Sequence, residues 1–318
     1  MTGPVHLPGT TRYLSQMGPT IQLPAQSNAK TAYLHPFIGN VLERIAPERA
    51  RELDRFAHVP ILVIESRKPV AYAMLGEKAI VITARMTDLL WAVTYAHWIF
   101  YTRFCAGVMP DGATVDLTQR ADLTPVLTLL SWATEELRAP AGTPWPDTLP
   151  QPVTRTTFSP TDDATEERVV DELTLAALAF ILHHELAHLY ITPEVGESSI
   201  DHERACDLAA GAWIFGEPAP EGDRAAEKRA VSVAAALLFI ASIDLTRTHA
   251  PTDHPIGVDR LADVLDPYID VFRESVWGFA VGILALHAKG DVSIPPVEHE
   301  TFRSAAIAYR DAVRARVV

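Results

Sequence analysis

The chain has 318 residues, 48% of them hydrophobic, and a formal net charge of −13 at pH 7. That is enough apolar material for a large core in one or two domains, and its acidity repels phosphate backbones, which excludes nucleic acid as a natural partner. Two cysteines, Cys105 and Cys206, make no disulfide framework and fit a reducing cytoplasm.

Residues 1–30 are rich in Pro, Thr, Gly and Gln and lack the basic start and apolar block of a signal peptide. They read as a flexible N-terminal arm, and residues 31–318 as a single domain. Residues 36–57 follow a helical pattern with Pro47 as a break or second start. Val59 to Glu65 is a β-branched run. Ala71–Leu75 and Ala79–Thr83 flank Gly76-Glu77-Lys78, so a strand and a hairpin are predicted, forming a small antiparallel sheet. Residues 86–104 are an apolar, aromatic helix in which His97 reads as a core histidine with a satisfied ring. Residues 106–158 are an insertion or loop region containing a helix over 122–138. Pro140, Pro144, Pro146, Pro150 and Pro152 follow it, in a surface loop or a lid over a cleft. The longest apolar run, Ala230 to Ile243, is shorter than the ~20 residues a membrane span needs. Helices are also predicted over 223–247, 266–289 and 299–317.

The chemistry concentrates in residues 168–191, where the chain reads His183-His184-Glu185-Leu186-Ala187-His188. Ser159, Pro160 and Asp162 mark a helix start, and Thr192-Pro193 an end. Positions i and i+4 share a helix face, so His184 and His188 can hold one metal ion, with Glu185 beside a metal-bound water. The next predicted helix supplies a third ligand, Glu203, and one turn later Asp207. The latter can accept the Nδ1 proton of a ligand histidine. Glu194 competes as third ligand. However, the metzincin pattern that its spacing suits has Gly and His where this chain has Ile191 and Glu194.

HExxH followed by Glu-x-x-(small)-Asp on the next helix resembles the gluzincin zinc peptidases. The short gap between the motifs is most similar to the prenyl-protease/HtpX-like group and its soluble relatives, and phage-exclusion (Lit-like) peptidases resemble it less. The small residue is Cys206 here, where Ala or Ser is usual. The resemblance implies a zincin-like fold with an active-site HExxH helix and a sheet edge that pairs with extended substrate. Asn-Ala often precedes the middle strand in that group; Val70-Ala71 stands here. His254-Pro255 followed by Arg260 is a third, weaker likeness, implying His254, or else His249, as a donor to the oxyanion.

The resulting expectation is a mostly helical α+β zinc metallo-endopeptidase of peptide or protein substrates. Zinc would sit on His184, His188 and Glu203, with Glu185 as base and Asp207 behind a ligand. Two alternatives share these residues: a zinc-binding regulatory protein whose fourth ligand is His183 or His202, and a dedicated protease of one intracellular regulator.

Overall fold

The structure is a computed structural model that describes residues 21–24, 27–105, 120–154, 165–217, 223–247, 249, 251–269, 274–288 and 301–317. Strands β1 (Ile21–Gln22), β2 (Ile61–Ile64), β3 (Ala71–Met74) and β4 (Ala79–Thr83) form one sheet in the order β1-β2-β4-β3. The expected antiparallel sheet needs correction, because it is mixed. β1 with β2 and β2 with β4 are parallel, and only β3–β4 is antiparallel. Burial sorts the strands. All of Ala79–Thr83 is buried, as suits a central strand covered on both faces. Tyr72 of β3 is exposed and its neighbours are half-buried, as suits an edge. β1 also shows that the fold begins ahead of residue 31, while residues 1–20 lie outside the described part.

The helices are α1 (His35–Arg44), α2 (Ala84–Phe100), α3 (Thr124–Arg138), α4 (Glu166–His188), α5 (Ser199–Phe215), α6 (Arg224–Asp244), α7 (Gly257–Leu265), α8 (Glu274–Ala288) and α9 (Phe302–Val317). A 3₁₀ stretch, Pro47–Phe56, follows α1 where Pro47 breaks the helical pattern. None of the described helices is long and apolar enough to cross a membrane.

The motif helix α4 is the hub. It packs against α1, α2, α5, α6 and β3, and is buried nearly all round from Val170 to Ala187, as suits a helix that is apolar on most sides and whose polar residues find partners within the fold. Its cap is Thr165, whose side chain accepts the Arg168 N–H; the expected cap, Ser159, lies outside the described residues. Asp171 locks α4 to its neighbours, accepting hydrogen bonds from Tyr33 Oη at 2.5 Å and Trp91 Nε1 at 2.7 Å.

Two further devices position the site. Ser198 caps α5 through the Asp201 N–H, and Gly216, with φ +67°, ends it. Gly257 starts α7 against the end of α6: a Cβ there would lie 2.5 Å from Ala241 N, and its N–H donates to buried Asp244 Oδ2 at 2.7 Å. Only glycine permits this approach, which brings Arg260 to α5.

Residues 139–154, most of the possible lid over 139–158, are fastened down, and 155–158 lie outside the described residues. Trp145 is buried between Trp132 and Trp91, with ring centroids at 4.9 and 5.7 Å, and its Nε1 donates to Pro150 O. Glu136 accepts the Gly142 and Thr143 N–H groups. The loop packs onto α2 and α3 rather than over α5.

Candidate active site

His184 and His188 come from the last turns of α4 and Glu203 from the second turn of α5. The two Nε2 atoms are 3.1 Å apart. Glu203 Oε2 is 3.1 Å from His184 Nε2, and Oε1 is 3.3 Å from His188 Nε2. A tetrahedral zinc ion with ligand bonds of about 2.0–2.1 Å has ligand–ligand edges of about 3.3 Å. The three groups therefore match the spacing of zinc ligands, and they are ligand types that zinc takes. The His184, His188 and Glu203 side chains are 8, 15 and 23% exposed, so the cluster opens on the Glu203 side.

Behind His184 the groups are fully enclosed. Its Nδ1 lies 2.8 Å from Asp207 Oδ1. Arg260 of α7 grips the same carboxylate with two nitrogens, at 2.6 and 2.5 Å. Asp207 and Arg260 are 2 and 5% exposed. Burial alone would lift the Asp207 pKa, but Arg260 and His184 hold it below the usual carboxylate range. Burial would likewise lower His184. Asp207 and Glu203 outweigh it and raise the ring to about 9. Glu203, which burial would raise, is depressed by hydrogen bonds to both histidines. The cluster thus attracts positive charge. Either a proton or a metal cation would meet that charge, and the two compete for the same ring nitrogens.

Glu185 is half-buried beside this cluster. Burial raises its pKa, the charges of His184 and His188 act against that, and the Ala73 N–H of edge strand β3 also stabilises its carboxylate. His183 points elsewhere: its Nε2 lies 3.2 Å from Leu42 O and its ring stacks on Trp213 at 3.9 Å. His202 meets His188 at the other ring nitrogen, Nδ1, at 3.2 Å. Glu194 is exposed in the α4–α5 turn. His254 contacts its neighbours, with Nδ1 3.0 Å from Pro255 O and Nε2 3.8 Å from Asp253. Its described contacts do not reach the cluster, and His249 is exposed. His97 pairs with His287 at 3.2 Å in the core.

Sequence reasoning gave Arg260 no role, although a signal was present. It is the single basic residue among Val258, Leu261, Ala262, Val264 and Leu265, and a buried arginine requires a buried acid. Asp207→Asn is expected to cost about 3–5 kcal/mol of stability by leaving Arg260 unpaired, and to weaken zinc binding about 10–100-fold. The double variant Asp207→Asn/Arg260→Leu should regain stability in urea unfolding but not zinc affinity in chelator competition. Wild-type affinity in the double variant would reduce Asp207 to a structural ion pair.

The fold and site together define a largely helical α+β protein with a two-histidine, one-glutamate cluster on adjacent helices. The family model Peptidase U49 matches residues 80–280, a span running from within β4 to the middle of α8, and the chain belongs to that family. It is also similar to the "Cell death peptidase" of Escherichia coli (strain K12), at 27% identity over 238 residues, covering 71% of this chain and 77% of that protein. No solved structure matches. The resemblance seen in the motifs therefore holds at the level of a peptidase, and the family is Peptidase U49.

Proposed function

We propose that the chain is a zinc-dependent metallo-endopeptidase of gluzincin, zincin-like type, with His184, His188 and Glu203 as ligands and Glu185 as general base. The carrying observation is the convergence of two Nε2 atoms and the Glu203 carboxylate at 3.1–3.3 Å, with Glu185 adjacent. A zinc ion bound there would acidify a water and polarise a peptide carbonyl. Glu185 takes the proton and later delivers it to the leaving amine. Burial raises its pKa, the direction that suits a group which accepts a proton and then gives it up. Asp207, held by Arg260, keeps the His184 proton on Nδ1 and leaves Nε2 free to ligate. The edge strand β3, in contact with α4 and carrying exposed Tyr72, offers its main chain to an extended substrate.

The non-catalytic alternative requires a fourth protein ligand. His183 and His202, the two candidates, face away from the Nε2 side, which favours a catalytic site. The likeness to a protein named for cell death supports the narrower version, a dedicated protease of an intracellular protein. A buried, free Cys206 suits a reducing cytoplasm.

The test is to express the chain in a host and label new protein N-termini. New termini should appear, vanish when a zinc chelator is added to the lysate reaction, and return with zinc. Cleavage that persists after complete metal removal would overturn the zinc assignment.

A further inference from the structure

The Nδ1 side of His188 carries a second constellation. His188 Nδ1 lies 3.2 Å from His202 Nε2 and 3.4 Å from Cys206 Sγ, and Cys206 Sγ lies 3.9 Å from His202 Nε2. These three atoms come from two rigid helices, α4 and α5, and form a compact donor triangle. Tetrahedral zinc, with bonds of about 2.0–2.1 Å to nitrogen and 2.3 Å to sulfur, has edges of about 3.3 Å between nitrogens and 3.5 Å between nitrogen and sulfur. The triangle is close to those values, with the Cys206–His202 edge somewhat long.

We propose that His188 Nδ1, His202 Nε2 and Cys206 Sγ form a second binding site for a thiophilic divalent ion, Zn²⁺ or Cd²⁺, which shares His188 with the first site. A separate observation agrees. His202 Nδ1 is buried without a hydrogen-bond partner, while the Glu197 carboxylate stands 3.9 Å away. A metal on Nε2 would fix the ring proton on Nδ1, facing Glu197, the arrangement in which carboxylates orient ligand histidines. Cys206 is the residue that makes the site thiophilic.

Loading both sites turns His188 into a bridging imidazolate. Two protons leave for solvent, one from the Cys206 thiol and one from His188 Nδ1. No oxidation is involved. The second ion must therefore bind more weakly than the first, and more weakly still as pH falls.

This proposal rests on the zinc reading of the first site only in that both use His188. The experiment titrates metal-free, reduced full-length protein with Co²⁺ and follows the thiolate-to-cobalt charge-transfer band in the near ultraviolet. The first equivalent should bring visible d–d bands without the thiolate band; the second should bring the thiolate band. Cys206→Ser should lose that band and keep the first equivalent, which also excludes Cys105 as its source. His202→Ala should weaken the second equivalent by at least tenfold. Glu203→Ala should lose the first equivalent and keep the thiolate band. A wild type that loads one equivalent and never shows the band overturns the second site alone. A band present from the first equivalent and unchanged in Glu203→Ala overturns the zinc reading of His184, His188 and Glu203 while the second site stands. No loading at all overturns both.

Discussion

Glu185→Gln is expected to keep its fold and its zinc while losing peptide hydrolysis by at least the ~10²–10⁴-fold typical of a general acid/base. The amide has the same shape and hydrogen-bonding reach but cannot accept a proton. Glu185 is outside the 3.1–3.3 Å cluster of His184, His188 and Glu203, so metal loading should not change. Its pKa is already raised by burial, so a neutral amide removes a desolvation cost, and stability should hold or rise slightly. The loss should fall on kcat rather than KM, because the group acts in the transition state. The measurement compares wild type and variant on a protein found cleaved in cells, with zinc content checked in both. Wild-type turnover by Glu185→Gln would remove it from the mechanism.

Glu203→Ala is expected to lose zinc more severely than the ~10–100-fold set by an outer partner such as Asp207. The Glu203 carboxylate reaches the Nε2 atoms of both rings. On the proposed reading its removal deletes one of three ligands, and with it part of the negative charge that holds His184 up at about 9. Glu194→Ala should leave zinc untouched, since that side chain is exposed in the turn. Elemental analysis after dialysis against a weak chelator separates the two. Zinc retained by Glu203→Ala and lost by Glu194→Ala would mean that the α4–α5 turn rearranges in the holo-protein.

Much of this architecture was legible because its signals are local. His184 and His188 share a face through the helix period alone, and Glu203 and Asp207 do the same on the next helix. The break at Pro47 was equally visible, as a backbone property of a single residue. Three features were not legible, and each depends on residues distant in sequence. Sheet order was misjudged because adjacency in sequence suggested a meander, whereas Ala79–Thr83, buried at every position, sits at the centre between Ile61–Ile64 and the edge strand Ala71–Met74. The partner of Arg260 is 53 residues away at Asp207; the sequence shows only that a buried arginine needs an acid. The contact between His188 and the His202–Cys206 pair depends on which ring nitrogen faces which helix. The His-Pro pair at His254 illustrates the converse, a local likeness whose side chain stays with its own loop.

The most direct measurement is diffraction at the zinc absorption edge from crystals of wild-type protein supplied with one equivalent of zinc. The expected result is one anomalous peak at about 2.0–2.2 Å from His184 Nε2, His188 Nε2 and a Glu203 carboxylate oxygen, with a fourth position free of protein ligands. A peak held by other side chains, or a fourth protein ligand closing that position, would contradict a catalytic zinc at this site.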